Sequence, residues 1–307
     1  MTLRLGTRAS ALAMAQAGTV AAALGAELVP IISDGDRSSA PLASLGGAGV
    51  FATALRAALR AGEVDVVVHS YKDLPTAPED GLAIGAVPTR ADARDALCAR
   101  DGLTLDTLPE GARVGTGSPR RGAQLAARRP DLDLVDIRGN IDTRLSRVGS
   151  DDPERRLDAI LLAAAGLSRI DRSDAATEFL PLERWPTAPA QGALAVETRA
   201  GEEHRVSRLD HRPTRLAVDA ERGVLARLEA GCAAPIGAHA FFDDGLMFLT
   251  ARIYRPDGRA QLTSAHAADA DDPGVAAELA ARVADELLAE GAADLAPLGP
   301  GAREDRA

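Results

Sequence analysis

Short apolar segments alternate with helical segments through the first two thirds of this 307-residue chain. Leu28–Ile32 and Val64–His69 are predicted strands. Ala9–Leu24 and Val50–Arg60 are predicted helices, the second with apolar residues at three- and four-residue spacing. Such alternation is typical of largely parallel sheets that are covered by helices. We therefore predict an α/β fold of doubly wound domains.

The chain is too long for one core, and the pattern changes near Arg94 and again near residue 214. The last third contains three strand-like segments separated by Asp-Gly turns and ends in a helix, which predicts an α+β domain. We expect two periplasmic-binding-protein-like domains around a cleft, followed by this third domain. The predicted bounds are 1–90 with 193–210, 94–186 and 214–295, with a disordered tail over 296–307.

Charge and composition exclude several classes of protein. The formal net charge of −10 argues against nucleic acid as a partner, and no apolar run has the length of a membrane span. The N-terminus has no signal-peptide pattern, and two cysteines are too few for a disulfide framework, so a cytoplasmic location is expected. Nothing in the sequence indicates a metal ion. No sequence feature points to an oligomer, and we expect a monomer by default.

One region is basic in this acidic chain. Between Arg113 and Arg147 there are eight arginines against four aspartates and no glutamate. Such a region suggests either an anionic small molecule or an ordinary solvated helix face. The chain also has one lysine, Lys72, against 34 arginines, so either a compact ammonium group is needed at this position or the lysine is a chance surface residue.

Three strand-to-helix turns carry arginine and hydroxyl groups. They are Thr7–Ser10, Gly115–Arg121 and Arg138–Arg144. In each turn a residue is placed to cap the helix, and the free N–H groups of a helix start attract anions. Because parallel strands end at the same edge of a sheet, the last two turns are expected to open on one cleft. A structural cap with surface arginines remains the other interpretation.

Two further motifs contain candidate reactive groups. Lys72 and Asp73 follow the predicted strand Val64–His69, where Asp73 is either an acid–base carboxylate or a turn cap. Cys232 lies in a loop of small residues after a helix, where a thiol is either exposed for attachment or buried. Cys98 alternates within a predicted strand and is expected to be a packed apolar residue.

Together these motifs resemble the hydroxymethylbilane synthase family, also called porphobilinogen deaminase, over essentially the whole ordered length. The matching segments occur in the family's order. They are Thr7–Ser10, Leu45–Phe51, His69–Pro75, Gly115–Arg121, Arg138–Arg144, Ala190–Ala193 and Gly231–Gly237. Six or more such segments in order are far more specific than any one of them.

The resemblance implies stepwise condensation of four porphobilinogen molecules, with loss of ammonia, and hydrolytic release of a linear tetrapyrrole. It implies a dipyrromethane cofactor bound by a thioether to Cys232 and a catalytic carboxylate at Asp73. It also implies a set of residues that bind the carboxylates of the cofactor and of the growing polypyrrole. They are Arg8, Ser10, Lys72, Thr116, Ser118, Arg120, Arg121, Arg138, Arg144, Arg169 and Gln191.

The sequence departs from the family at three positions in two of these motifs. Ala48 stands where many relatives have lysine, and Gly117 and Pro119 stand where serine and leucine are common. A non-catalytic two-domain protein that binds an organic anion is the main alternative, since solute receptors share the expected architecture. A ligand-sensing regulator is a second, but the N-terminus enters the first sheet without a helix-turn-helix segment.

Overall fold

The computed structural model describes residues 2–31, 49–231 and 234–299. The chain divides into two compact units, Met1–Ala91 with Ala190–Val218 and Asp92–Pro189 with Asp219–Ala307. The predicted loop over 36–49 lies outside the described residues except for Gly49, as do Ala48, Cys232 and the last eight residues of the predicted tail. Ala296, the first residue of that tail, is buried.

The strands, in chain order, are β1 (Arg4–Arg8), β2 (Glu27–Ile31), β3 (Val66–Ser70), β4 (Leu82–Ala86), β5 (Asp95–Ala99), β6 (Arg113–Gly115), β7 (Asp133–Val135), β8 (Ala159–Ala163), β9 (Glu178–Phe179), β10 (Leu194–Arg199), β11 (Ile236–Asp243), β12 (Leu246–Tyr254) and β13 (Gln261–Asp269). The α-helices are α1 (Ala11–Leu24), α2 (Gly49–Arg60), α3 (Pro119–Arg128), α4 (Ile141–Leu145), α5 (Ala164–Arg169), α6 (Arg212–Arg227), α7 (Val275–Ala289) and α8 (Ala292–Leu295).

The first unit contains a five-stranded sheet in the order β2-β1-β3-β10-β4. β1, β2 and β3 are parallel, and β10 runs antiparallel to both of its neighbours. Side chains alternate across β3, so Val66 and Val68 pack with α1 on one face while Val67 packs with α2 on the other. Both faces of the sheet are therefore covered, as a doubly wound domain requires.

The second unit repeats this arrangement in a sheet of order β7-β6-β8-β5-β9. Three parallel strands are again followed by an antiparallel one, here β5. Leu125 of α3 packs with Leu97 and Leu161 on one face, while Ile160 and Leu162 face the other. The predicted α/β fold class is confirmed by these two sheets.

The same unit also contains an antiparallel meander, β11-β12-β13. Alternate residues of β12, including Met247, Leu249 and Ile253, are fully buried, and so are the apolar residues of α7 that recur every four positions. Gly237 allows β11 to pack closely against the segment that contains Pro186, because an added Cβ at this position would lie 2.4 Å from the carbonyl oxygen of Pro186. This α+β layer therefore rests directly on residues that follow β9.

Candidate functional site

In the first unit, polar residues gather where the parallel strands end. Leu194 pairs with Ser70, so the segment before β10 reaches the carboxyl end of β3. There the Nζ atom of Lys72 donates a hydrogen bond of 3.2 Å to Oε1 of Gln191. Residues separated by more than a hundred positions in the sequence thus share one edge, which we call the first edge.

The turn that carries Lys72 and Asp73 is held at both ends by buried residues. Tyr71 and Leu74 pack into the core with Val87 and Ala193, and the N–H of Leu74 donates to the carbonyl of Tyr71 at 3.2 Å. Tyr71–Asp73 form a single 3₁₀ turn, in which Lys72 is half-buried and Asp73 is exposed. The fold therefore presents the Asp73 carboxylate to solvent on a fixed backbone.

Gln191 is fully buried in a turn of unusual backbone conformation. Ala190 and Gly192 on either side have φ values of 64° and 86°. A positive φ is strained for alanine, and its side chain is nevertheless completely buried, so the surrounding packing holds it in place. The Nε atom of Arg90 donates to the Gln191 carbonyl at 2.7 Å, which fixes this turn further.

Arg8 and Ser10 lie at the end of β1, on the same edge by the parallel pairing of β1 with β3. Ser10 caps α1, since its Oγ accepts a hydrogen bond from the Ala13 N–H at 3.4 Å. Arg8 is half-buried and Ser10 is exposed. The predicted cap is thus present.

Beneath the first edge lies a buried ionic network that the sequence does not reveal. Glu197 of β10 accepts hydrogen bonds from Arg56 at 2.9 Å and contacts Nε2 of His69 at 3.1 Å. Burial alone would raise the pKa of Glu197, but the hydrogen bonds and charges of His69 and Arg56 bring it below its usual value. His69 therefore pairs with Glu197 in the interior of the first unit, which supports a structural role for this histidine.

In the second unit, the turn after β6 places Thr116 and Ser118 at the corresponding end of the sheet. Thr116 is buried, and its Oγ1 accepts from the Ser118 N–H at 3.2 Å. Ser118 caps α3 through a contact of 3.5 Å with the Arg121 N–H, and Pro119 follows at the first helical position. Gly117 has no room for a side chain, because an added Cβ would lie 2.6 Å from the carbonyl of Ile137.

Arg138 and Arg144 lie at the turn after β7. Arg138 is exposed, 3.7 Å from Asp136, while the Nε atom of Arg144 donates to the Gly139 carbonyl at 2.8 Å. Burial lowers the pKa of Arg144 most, and the positive charges of Arg121 and Arg138 lower it further. The guanidinium groups of Arg121 and Arg138 therefore lie within electrostatic range of Arg144, and we call Arg121, Arg138 and Arg144 the second edge.

Arg120 and Arg121 point into the interior of the unit. Both donate to the fully buried carboxylate of Asp95, Arg120 at 2.9 Å and Arg121 at 2.6 Å. Only 4% of Arg120 is exposed, and its other guanidinium nitrogen also contacts Gln124 and the Pro186 carbonyl. Arg121 is buried to a similar degree, with 7% exposed, and the contacts of both arginines with a substrate stay predictions. Arg169 ends α5, and burial lowers its pKa.

Of the two cysteines, the structure describes Cys98. Cys98 is a core residue of β5, and burial raises the pKa of its thiol to about 11, partly offset by the charges of Arg121 and Arg172. A thiol of this kind is a poor nucleophile at neutral pH. Cys232 lies outside the described residues, so its predicted attachment role stays a prediction.

Residues 2–31, 49–231 and 234–299 contain no group of three or more His, Cys, Asp or Glu side chains placed to hold a metal ion. None of the helices within these ranges is both long and apolar enough to span a membrane.

The chain matches two family models that together cover most of its length. Residues 3–207 match the porphobilinogen deaminase, dipyromethane cofactor binding domain, and residues 215–289 match the porphobilinogen deaminase, C-terminal domain. A porphobilinogen deaminase of Leifsonia xyli subsp. xyli is 60% identical over 96% of this chain and 94% of the relative. That of Cutibacterium acnes is 52% identical over 96% and 97%.

The solved structures that match part of the chain include two periplasmic binding proteins. One is from Salmonella typhimurium, with a TM-score of 0.36 and 15% identity over 70% of this chain and 93% of that one. The other is from Legionella pneumophila, with a TM-score of 0.38 and 14% identity over 68% and 91%.

Proposed function

Because the chain belongs to the porphobilinogen deaminase family, we propose that its two polar edges hold the carboxylates of porphobilinogen and of the growing polypyrrole. The family makes the chain a transferase of tetrapyrrole biosynthesis with a dipyrromethane cofactor. It condenses four porphobilinogen molecules stepwise with loss of ammonia and releases linear hydroxymethylbilane. The alternative of a non-catalytic anion-binding protein is not favoured.

The residues of the second edge fit a group that carries several carboxylates. Each pyrrole of the cofactor has an acetate and a propionate, and bidentate pairing with carboxylates is a particular property of arginine. Burial lowers the pKa of Arg144 most, the charges of Arg121 and Arg138 lower it further and Asp136 opposes them, so an added carboxylate beside Arg144 would meet two neighbouring cations, which supports the proposal. Arg138 and Arg144 would hold such a group. When bound, it supplies a covalently anchored primer with a nucleophilic pyrrole carbon.

The exposed position of the Asp73 carboxylate is the main support for the catalytic proposal. Its carboxylate is exposed at the end of β3 on a turn pinned by Tyr71 and Leu74, and it is the residue after Lys72. A carboxylate so placed can accept hydrogen bonds from the pyrrole N–H of porphobilinogen. As the C–N bond to ammonia breaks, it would stabilise positive charge on the substrate and accept the proton that is later lost.

Lys72 and Gln191 bind rather than react in this proposal. The ammonium group is oriented by its bond to Gln191, whose own backbone is fixed by the strained turn at Ala190. Arg8 and Ser10 contribute a second cation and a hydroxyl at the same edge. Thr116, Ser118 and Arg169 complete the proposed set in the second unit, while Arg120 acts as a partner of Asp95.

We assign the thioether attachment to Cys232 because Cys98 is sealed in a core. Only 2% of Cys98 is exposed, which leaves no space for a substituent on its sulfur. A monomer working in the cytoplasm completes the proposal, in keeping with a cysteine content of two.

The proposed activity is tested on the purified full-length chain. Incubation with porphobilinogen should release one ammonia for each porphobilinogen consumed and should give a linear tetrapyrrole. Binding of porphobilinogen without any release of ammonia would instead support the anion-binding alternative.

A further inference from the structure

The carboxylate of Asp95 is completely buried and bonded through both oxygens. Oδ1 accepts from Nη2 of Arg121 at 2.6 Å, and Oδ2 accepts from Nη2 of Arg120 and Nε1 of Trp185, each at 2.9 Å. Such charge-assisted bonds hold both partners in one geometry. Asp95 is therefore the centre of a buried cluster that comprises Asp95, Arg120, Arg121 and Trp185.

The cluster lies at the functional end of the second sheet. Asp95 pairs with Ala163 in the antiparallel register of β5 and β8, so it stands beside the carboxyl end of β8. Nη1 of Arg121 donates to the carbonyl of Leu161 at 3.2 Å, in the same strand. The charge of Arg121 reaches Arg144, whose pKa it helps to lower.

The cluster is also connected to the C-terminal sheet. Gln124 accepts from Arg120 at 2.5 Å, and its Nε2 donates to the Pro186 carbonyl at 2.9 Å and to the Tyr254 hydroxyl at 3.1 Å. All these groups are buried, so the bonds are shielded from water and from salt. The position of Asp95 is thus determined from several directions.

We propose that Asp95 is a positioning residue that acts through Arg121, orienting its guanidinium group so that the second edge binds substrate carboxylates. This inference rests on the proposed function. It assigns no contact between Asp95 and the substrate. It explains why an acidic side chain is buried beneath a site whose ligands are themselves anions.

The sign of the change in KM for porphobilinogen separates this role from a purely electrostatic one. Replacing Asp95 with asparagine keeps its size but removes one negative charge near the edge. If charge alone mattered, the added net positive charge would strengthen anion binding and lower KM. If Asp95 positions Arg121, KM rises instead, by about tenfold as expected for one weakened charge-assisted contact.

A double-mutant cycle provides the test, using full-length protein loaded with cofactor. KM and kcat for porphobilinogen are measured for wild type, Asp95→Asn, Arg121→Lys and the double variant. Asp95→Asn should raise KM about tenfold in the wild-type background and less than twofold beside Arg121→Lys. Equal effects in both backgrounds, or a lowered KM, would overturn the proposal. Loss of kcat with unchanged KM would indicate a structural role only and would overturn it as well.

Two further variants make the outcome decisive. Trp185→Phe removes one donor to Asp95 while keeping every charge, and it should also raise KM. It takes the place of Asp95→Asn in the test if that variant fails to fold. An unchanged KM in folded Trp185→Phe would then count against the proposal. Asp158→Asn is the matched control, because Asp158 pairs with Arg100 at 2.6 Å at the opposite end of β8. If the wild-type protein releases no ammonia from porphobilinogen, the proposed function itself is refuted. If the wild-type protein is active but the effects of the two substitutions are additive, only this inference is refuted.

Discussion

The ammonium group of Lys72 and the side-chain oxygen of Gln191 lie 3.2 Å apart, joining the turn after β3 to the segment that leads into β10. The two residues are far apart in sequence, and the antiparallel pairing of β10 with β3 brings them together. Lys72 is the chain's one lysine, and this contact places it at the first edge beside Asp73.

Replacing Lys72 with arginine should therefore raise KM for porphobilinogen by about tenfold, with a smaller change in kcat. The charge is kept, but a flat guanidinium group cannot reproduce the compact donor that faces buried Gln191. Steady-state kinetics measure the change. The reverse exchange at an exposed ion pair, Arg128→Lys, serves as the control and should leave KM unaltered. Unchanged kinetics in Lys72→Arg would show that this ammonium group has no special role.

Asp73→Asn should lower kcat at least a hundredfold, the usual range for the loss of an acid–base group. Because Asp73 is exposed, thermal unfolding should stay within about 2 °C of wild type. Ammonia release and circular dichroism provide the two readouts. Asp80→Asn, at another exposed aspartate of the same unit, is the control. Turnover within threefold of wild type in Asp73→Asn would remove Asp73 from the mechanism.

Arg138→Gln should raise KM for porphobilinogen about fivefold at low salt and should also flatten the dependence of KM on ionic strength. Arg138 is exposed, so its ion pair with a carboxylate is screened by salt and contributes little at high ionic strength. Kinetics between 20 and 500 mM NaCl, roughly spanning Debye lengths from about 20 to 4 Å, measure both effects. The control is Arg113→Gln, at the opposite end of β6. Parallel salt curves for wild type and Arg138→Gln would contradict an ionic role.

Glu197→Gln should lower the free energy of unfolding by about 3 kcal/mol at pH 7, because it breaks a buried ionic network with Arg56 and His69. The pKa of Glu197 is lower in the folded state than its ordinary value of 4.5. Its contribution is thus fully present above about pH 4.5 and is lost as the pH falls through the folded-state pKa. Urea unfolding from pH 7 to pH 3 should show the two proteins converge on acidification.

The control for that experiment is Glu202→Gln, which breaks a half-exposed pair with Arg199 and should cost less than about 1 kcal/mol. A difference between wild type and Glu197→Gln that grows as the pH falls would contradict the assigned ionisation.

Local signals in the sequence predict several helix bounds to within two residues. The sequence pattern predicts helices over Ala9–Leu24 and Val50–Arg60, and α1 and α2 are observed over Ala11–Leu24 and Gly49–Arg60. A serine cap followed by proline marks the start of α3. By contrast, α5 begins at Ala164 and its N-cap residue, Ala163, has no side chain that can cap it, while β9 has two residues, so neither gives a local signal.

The candidate site is only partly readable in the same way. The turns that carry Lys72, Asp73 and Arg138 can be located because each follows an apolar strand. Asp95 cannot be located in this way, because its hydrogen-bond partners Arg120 and Trp185 are 25 and 90 residues away in the sequence. Sequence patterns also cannot distinguish the inward-facing Arg120 from the exposed Arg138, because that difference depends on the packing of α3.

The central claim, that the polypyrrole grows on a primer held by Cys232, is tested most directly by intact mass combined with peptide mapping. The purified protein should be heavier than its polypeptide by two pyrrole units, and the added mass should map to the peptide that contains Cys232. Cys98→Ala should retain the modification, whereas Cys232→Ser should lose both the added mass and turnover. A polypeptide of unmodified mass that still releases ammonia from porphobilinogen, or a modification that maps to Cys98, would contradict the account.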